Sequence, residues 1–305
     1  MNKVIYKHNF VLYIIMKGFV NLGNTCYMNS ALQMIIRIDK FYGLFQSLDL
    51  GIGSSELSPE EIEEIKILIE FFNKYYHSNE DILNPKEVKN LIGKRNKKFL
   101  GFNQEDSEEF INYLLDFMHE KLKKFGEKET SDFLKIIETK INKSIKCKAI
   151  KCLSISNTIE KMNIINLSLT KETYDLDTCL QELLKREKLE DDTMYFCDNC
   201  RKLRIASKRL EIKKLPSDII FSIKRYTSNL RKIDKKVDMP LNWKSYKLKG
   251  IVFHSGSFGG GHYVYVGMMN DKWFLFNDSF VSEINNINSL DQFRNFGYLY
   301  HYTKI

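Results

Sequence analysis

The order of its periodic patterns predicts an α+β protein: amphipathic helical stretches fill the first half of the chain, and β-rich runs fill the second. No internal repeat and no Gly/Ser/Pro-rich linker interrupts that order, so nothing marks a boundary between independent domains. With 305 residues, 43% of them hydrophobic and 13% aromatic, the chain can bury a packed core.

The elements follow in sequence. Phe10 to Met16 is an apolar run too short to span a bilayer, and no small-residue cleavage site follows it, so it reads as a strand or packed arm. Asn24 and Thr25 can cap a helix running from Cys26 toward Ile38. Ser58-Pro59-Glu60-Glu61 is a capping box with proline at the first helical position, heading a helix to about Tyr76. Asn84-Pro85-Lys86-Glu87 repeats the device for a shorter helix. Asn103 can cap another, in which Phe110, Leu114, Phe117, Met118 and Leu122 recur at helical spacing. Later, Ile219 to Ile223, Tyr263 to Met268, Trp273 to Phe276 and Tyr298 to Tyr302 read as strands. Met269-Asn270-Asp271-Lys272 makes a turn between the middle two. Residues 140 to 205 between the halves look like an insertion with its own organisation.

Composition narrows the function. The net charge of +8 comes from lysines that mingle with 39 acidic residues, and no arginine and aromatic stripe is present, so nucleic-acid binding is not expected. Six unevenly placed cysteines are too few for a disulfide scaffold and fit a reducing compartment, the cytoplasm or nucleus.

One cysteine stands where chemistry would want it. In Gly18-Phe19-Val20-Asn21-Leu22-Gly23-Asn24-Thr25-Cys26-Tyr27-Met28-Asn29-Ser30, Cys26 opens a helix, where unpaired amides and the helix dipole favour a thiolate. Gly23 permits a sharp turn, and Asn21 is placed to offer an amide to a developing oxyanion. A lone cysteine at a helix start is otherwise just a small packed residue. A thiol nucleophile needs an imidazole and a third group to orient it. Gly259-Gly260-Gly261-His262-Tyr263 supplies the histidine where a glycine loop enters a strand, and the next strand delivers Asn277-Asp278-Ser279. Strand alternation turns Asn277 and Asp278 apart, so one faces the imidazole and the other does not. Alternation alone leaves open which of the two it is. His254 reads as structural, and His77 and His119 as surface or packed residues on helices.

These segments together resemble the ubiquitin-specific proteases. The cysteine box matches through Asn29-Ser30 and Gln33, and the Gly-His-Tyr strand followed by a Trp strand resembles the family's histidine box, which implies Asn277 as the orienter of His262 and Asp278 as a second catalytic candidate. Gln104-Glu105-Asp106-Ser107-Glu108-Glu109-Phe110 resembles its glutamine box, and Leu215 to Tyr226 its strand ending in Lys-Arg-Phe, here with Tyr. The likeness runs from about Lys17 to the C-terminus. It implies a papain-like cysteine protease fold with a helical thumb, a β-rich palm and a fingers insertion. The implied layout is an N-terminal arm 1–16 and one catalytic domain 17–305, divided near 17–135, 140–205 and 206–305.

The resemblance implies a monomeric deubiquitinating hydrolase, without nucleic-acid or membrane partners. It would cut the amide after ubiquitin's last glycine, with no cofactor for catalysis. It implies that Asp106 and Glu109 bind the arginine-bearing ubiquitin tail, that Gln104 lines the site near the thiol, and that Tyr263 walls the channel for the two terminal glycines. Acidic residues also favour helix starts for dipole reasons alone. Cys147, Cys152, Cys197 and Cys200 would hold a structural zinc ion in the fingers, although the first pair is spaced CxxxxC where the family generally has CxxC. Cys179 fits neither pair and reads as a buried apolar residue. Two alternatives share the motifs: a silent ubiquitin-binding scaffold, against which intact Cys26, His262 and Asn277 speak, and a hydrolase of another ubiquitin-like modifier.

Overall fold

The computed structural model describes residues 3–5, 11–13, 16–50, 57–169, 174–227, 229–257 and 259–305. Most of the 1–16 arm lies outside them, although Lys3–Ile5 pairs antiparallel with Val11–Tyr13. Helices come first and strands afterwards. The helical part holds Cys26–Ile36, Asp39–Gln46, Pro59–His77, Lys86–Arg95, Ser107–Lys123 and Glu127–Ile137.

Three helix starts differ from expectation, and in one the Asn84 device makes no capping box, its Oδ1 accepting from the Lys86 amide at 3.0 Å while Glu87 turns to Lys74. The Ser58 box forms as read, its hydroxyl accepting from the Glu61 amide while the Glu61 side chain accepts from the Ser58 amide. Thr25, however, makes no side-chain cap, and its hydroxyl instead accepts from the Leu22 amide at 2.8 Å. The helix after it ends at Ile36. Asn103 caps nothing; Asp106 caps Ser107–Lys123 by accepting from the Glu109 amide. Tertiary bonds settle this: Lys89 Nζ donates to the carbonyls of Leu100 and Gly101, and Asn24 Nδ2 to that of Phe102, which holds this stretch as a loop.

The second half builds an eight-stranded sheet. Its order runs Phe280–Ile284, Lys272–Asn277, Gly260–Met269, Tyr246–Ser257, Leu299–Lys304, Asp218–Lys224, Ile164–Ser168, with Asn242–Trp243 paired to the Tyr246 end. All pairs are antiparallel except the last two strands, which run parallel. Asn270 and Asp271 take left-handed φ angles of 48° and 57°, the two-residue turn geometry that matches hairpin twist.

The sheet buries both faces. On one, the helical layer packs with Val252, Tyr265, Phe274, Phe276 and Leu299. On the other lie the Leu176–Leu184 helix and Leu290, and here Cys179 is buried as expected. Cys26–Ile36 sits between the helical layer and the sheet, and every one of its residues is buried. A helix enclosed all round must satisfy its polar side chains internally. Accordingly Ser30 Oγ donates to the Tyr27 carbonyl and Gln33 Nε2 to the Lys17 carbonyl.

A separate four-stranded sheet, in the order Ile155–Met162, Thr139–Cys147, Ala206–Lys214, Glu187–Leu189, extends away with little core of its own. Its third strand lies beyond the 140–205 limits read from sequence. Conversely, Ile164–Ser168 and Leu176–Leu184 lie within those limits yet pack on the large sheet. No helix among the described residues is long and apolar enough to cross a membrane.

Candidate active site

Asn21 to Cys26 forms a tight turn into the buried helix, with Gly23 and Asn24 at φ 101° and 55°. The conformation at Gly23 requires glycine, and a side chain there would also meet the exposed Phe102 ring. Cys26 is 4% exposed. Burial raises its thiol pKa and outweighs hydrogen bonds from the backbone of Tyr263, Tyr27 and Cys26 itself, while the Asp278 charge raises it further. The helix start alone predicted a favoured thiolate; desolvation reverses that sign in this state. The Tyr263 bond sets the sulfur beside the residue that follows His262.

His262 Nε2 lies 2.6 Å from Asn277 Oδ1. A carbonyl oxygen only accepts, so Nε2 carries the proton and Nδ1 is left as the basic nitrogen. The glycine loop is anchored from the helical side, for the Gly261 amide donates to Gln104 Oε1 at 2.7 Å. Asp278 points elsewhere, but it lies past the strand end in a left-handed turn, φ 50°, so the turn and not strand alternation parts it from Asn277. Asp278 Oδ2 accepts from Asn21 Nδ2 at 2.8 Å and its Oδ1 from Asn29 Nδ2 at 2.7 Å. Asn21 Oδ1 in turn accepts from the amides of Gly23 and Thr25, so the amide plane is fixed at both ends.

The acidic candidates separate. Asp106 is inward: besides its cap, Oδ2 accepts from the hydroxyls of Tyr263 at 3.2 Å and Tyr298 at 2.9 Å. Glu109 is outward and pairs with Lys98. Sequence reasoning missed Glu108, whose buried carboxylate gathers Ser222, Lys224 and the Tyr298 hydroxyl. It also assigned no role to Tyr298 or Asn29. Asn29 had a signal, standing three residues after Cys26 and therefore on its helix face. His254 is enclosed against the Tyr263 ring at 4.3 Å, with Nδ1 3.0 Å from the Tyr226 hydroxyl, and burial lowers its pKa to about 4. His119 stacks on Phe133, and His77 meets the Tyr42 hydroxyl.

At the far end of the small sheet, the sulfurs of Cys147, Cys152, Cys197 and Cys200 all lie within 4.8 Å of one another. Cys152 and Cys197 are 3.8 Å apart. Tetrahedral zinc with bonds of about 2.3 Å needs sulfur separations of about 3.8 Å, so the four residues fit the metal despite the wider first spacing. Asn199 Nδ2 donates to Cys152 Sγ and favours its thiolate.

The family model "Ubiquitin carboxyl-terminal hydrolase" matches residues 17–302. The chain is 26% identical over 317 residues to ubiquitin carboxyl-terminal hydrolase Usp2 of Drosophila melanogaster, covering 90% of this chain and 33% of that protein. It is 28% identical over 286 residues to probable ubiquitin carboxyl-terminal hydrolase 8 of Schizosaccharomyces pombe, covering 88% of this chain and 61% of that one. It thus spans between a third and two thirds of these relatives' lengths. Among solved structures, it resembles the SAGA DUB module Ubp8/Sgf11/Sus1/Sgf73 bound to monoubiquitin, with TM-score 0.76 and 26% identity over 98% of this chain and 72% of that one.

Proposed function

The chain belongs to the ubiquitin carboxyl-terminal hydrolase family, and on that premise we propose that it is a thiol-dependent deubiquitinating enzyme. One observation carries the reading: a buried cysteine at a helix start, a histidine oriented by Asn277 and an amide oriented by Asp278 converge from opposite ends of the chain. Cys26 gives its proton to His262 Nδ1 and its sulfur attacks the carbonyl carbon of ubiquitin's last glycine. The oxyanion takes hydrogen bonds from the remaining Asn21 Nδ2 hydrogen and the Cys26 amide. Collapse breaks the C–N bond, and the imidazolium gives its proton to the departing lysine amine. Water, deprotonated by His262, then attacks the thioester; the carboxylate leaves and the thiol reforms.

Asp106 is read as the inward acid for the ubiquitin tail and Glu109 as the outer one, with Tyr263 walling the glycine channel and Gln104 holding the histidine loop. Zinc on Cys147, Cys152, Cys197 and Cys200 would brace the small sheet and supply no catalytic step. The same reading makes the protein a monomer working in a reducing compartment, the cytoplasm or nucleus.

The test is ubiquitin bearing a C-terminal thiol-reactive warhead, offered to wild type and to Cys26→Ala. An adduct on wild type alone is expected. No adduct on folded wild type, with one formed by a different modifier's probe, would move the substrate to that modifier. No adduct with any probe would leave a binding scaffold.

A further inference from the structure

Asn29 takes no part in the steps above, yet it sits one turn along the helix from Cys26, 3% exposed and facing the same turn. Its Nδ2 hydrogens go to Asp278 Oδ1 at 2.7 Å and the Val20 carbonyl at 3.3 Å. Its own Oδ1 is buried without a hydrogen-bond partner. Turning the amide over would aim that oxygen at a carboxylate and a carbonyl, two acceptors, so this orientation is forced. An orphaned buried oxygen is unfavourable. At a position serving only packing, an apolar side chain of similar size would avoid it.

What the orphan accompanies is a fixed carboxylate. Asp278 stands in the left-handed region, φ 50°, and its carbonyl accepts from the Phe19 amide at 2.8 Å, which pins its backbone. Rotation of its carboxylate is then set by two side chains, one per oxygen: Asn29 and Asn21. Asn21 Oδ1 is held by the Gly23 and Thr25 amides, and one Nδ2 hydrogen by Asp278, which leaves a single hydrogen free. We propose that Asn29 is a positioning residue: it locks the Asp278 carboxylate so that Asn21 presents that one hydrogen to the oxyanion. This rests on the acyl-transfer role given to Asn21 above.

The test is a double-mutant cycle on a fluorogenic ubiquitin substrate. Asn21→Ala should lower kcat about 100- to 1000-fold, the loss typical of one oxyanion donor. Asn29→Ala should lower kcat about 10- to 100-fold with KM within about twofold, as lost orientation does. The double variant should be no slower than Asn21→Ala alone. Alkylation of Cys26 by iodoacetamide develops no oxyanion and should be unchanged in Asn29→Ala. Asn29→Leu keeps the packing volume but loses both hydrogen bonds, so it should fold and still lose turnover. Equal loss in the Asn21→Ala background, or alkylation falling with turnover, would make the role structural and overturn the proposal. If wild type does not turn over ubiquitin, the functional reading fails separately. The crystal structure of Asn29→Ala then decides: a displaced Asn21 amide supports positioning, and an unmoved Asn21–Asp278 bond refutes it.

Discussion

Cys26 stands between opposing influences. Amides from the helix start and from Tyr263 draw its pKa down, while burial and the Asp278 carboxylate push it up and prevail. Since the resting sulfur keeps its proton, deprotonation must be coupled to His262. Removing the Asp278 charge should lower the thiol pKa, because a neighbouring anion disfavours the thiolate. Asp278→Asn should therefore speed iodoacetamide alkylation below that pKa by roughly two- to fivefold yet slow ubiquitin turnover, because Asn21 loses its charged acceptor. An unshifted pH profile of alkylation would sink this account. At His262, Asn277→Ala removes the acceptor that fixes the tautomer, and kcat should fall about 100-fold or more. Asn277→Asp, which still accepts from Nε2, should retain most turnover.

Among the elements, the small four-stranded sheet depends most on something other than packing. Ile155–Met162 has no buried residue, and two strand ends are joined through the cysteine cluster. About one zinc ion per chain is expected by elemental analysis, and Cys197→Ser should lose it. With the metal gone, KM for a ubiquitin substrate should rise while kcat changes little, the sheet being remote from Cys26; metal-free protein with unaltered KM would refute the bracing role. Which elements were legible in sequence follows from where their signals lie. The Ser58 box and the strands around the Asn270-Asp271 turn carry local codes, and both form. The helix after Asn103 was placed too early because Asn103 and Asp106 are both good caps. Only Lys89 and Asn24, remote in sequence, decide between them. The parallel pairing of Ile164–Ser168 with Asp218–Lys224 is likewise long-range and has no local signature.

At the scale of the whole molecule, the helical layer is tied to the large sheet through a buried acid. Asp218 accepts from Lys40 Nζ at 2.8 Å and Thr303 Oγ1 at 2.6 Å, and lies 3.0 Å from His301 Nε2. Burial alone would raise its pKa, but these partners overcome it and hold the carboxyl far below the usual range. A depressed folded pKa means stability that is complete above the unfolded value, about 4, and lost as pH falls beneath it. Acid unfolding should therefore steepen below about pH 4, and Asp218→Asn should flatten that limb while costing about 3 kcal/mol at neutral pH. Denaturant titrations at several pH values would show it, and an unchanged acid limb would reject it. The site is as dispersed as this anchor: the motifs could be read one by one, but Asn29–Asp278 and Tyr298–Asp106 join residues that only the folded chain brings together. The strand order adds a consequence for biosynthesis. Leu299–Lys304 lies in the middle of the large sheet, between Tyr246–Ser257 and Asp218–Lys224. A nascent chain halted before residue 299 leaves both neighbours with open edges and the histidine strand attached to half a sheet. The histidine strand is therefore fully seated only once residues 299–304 have been made and paired.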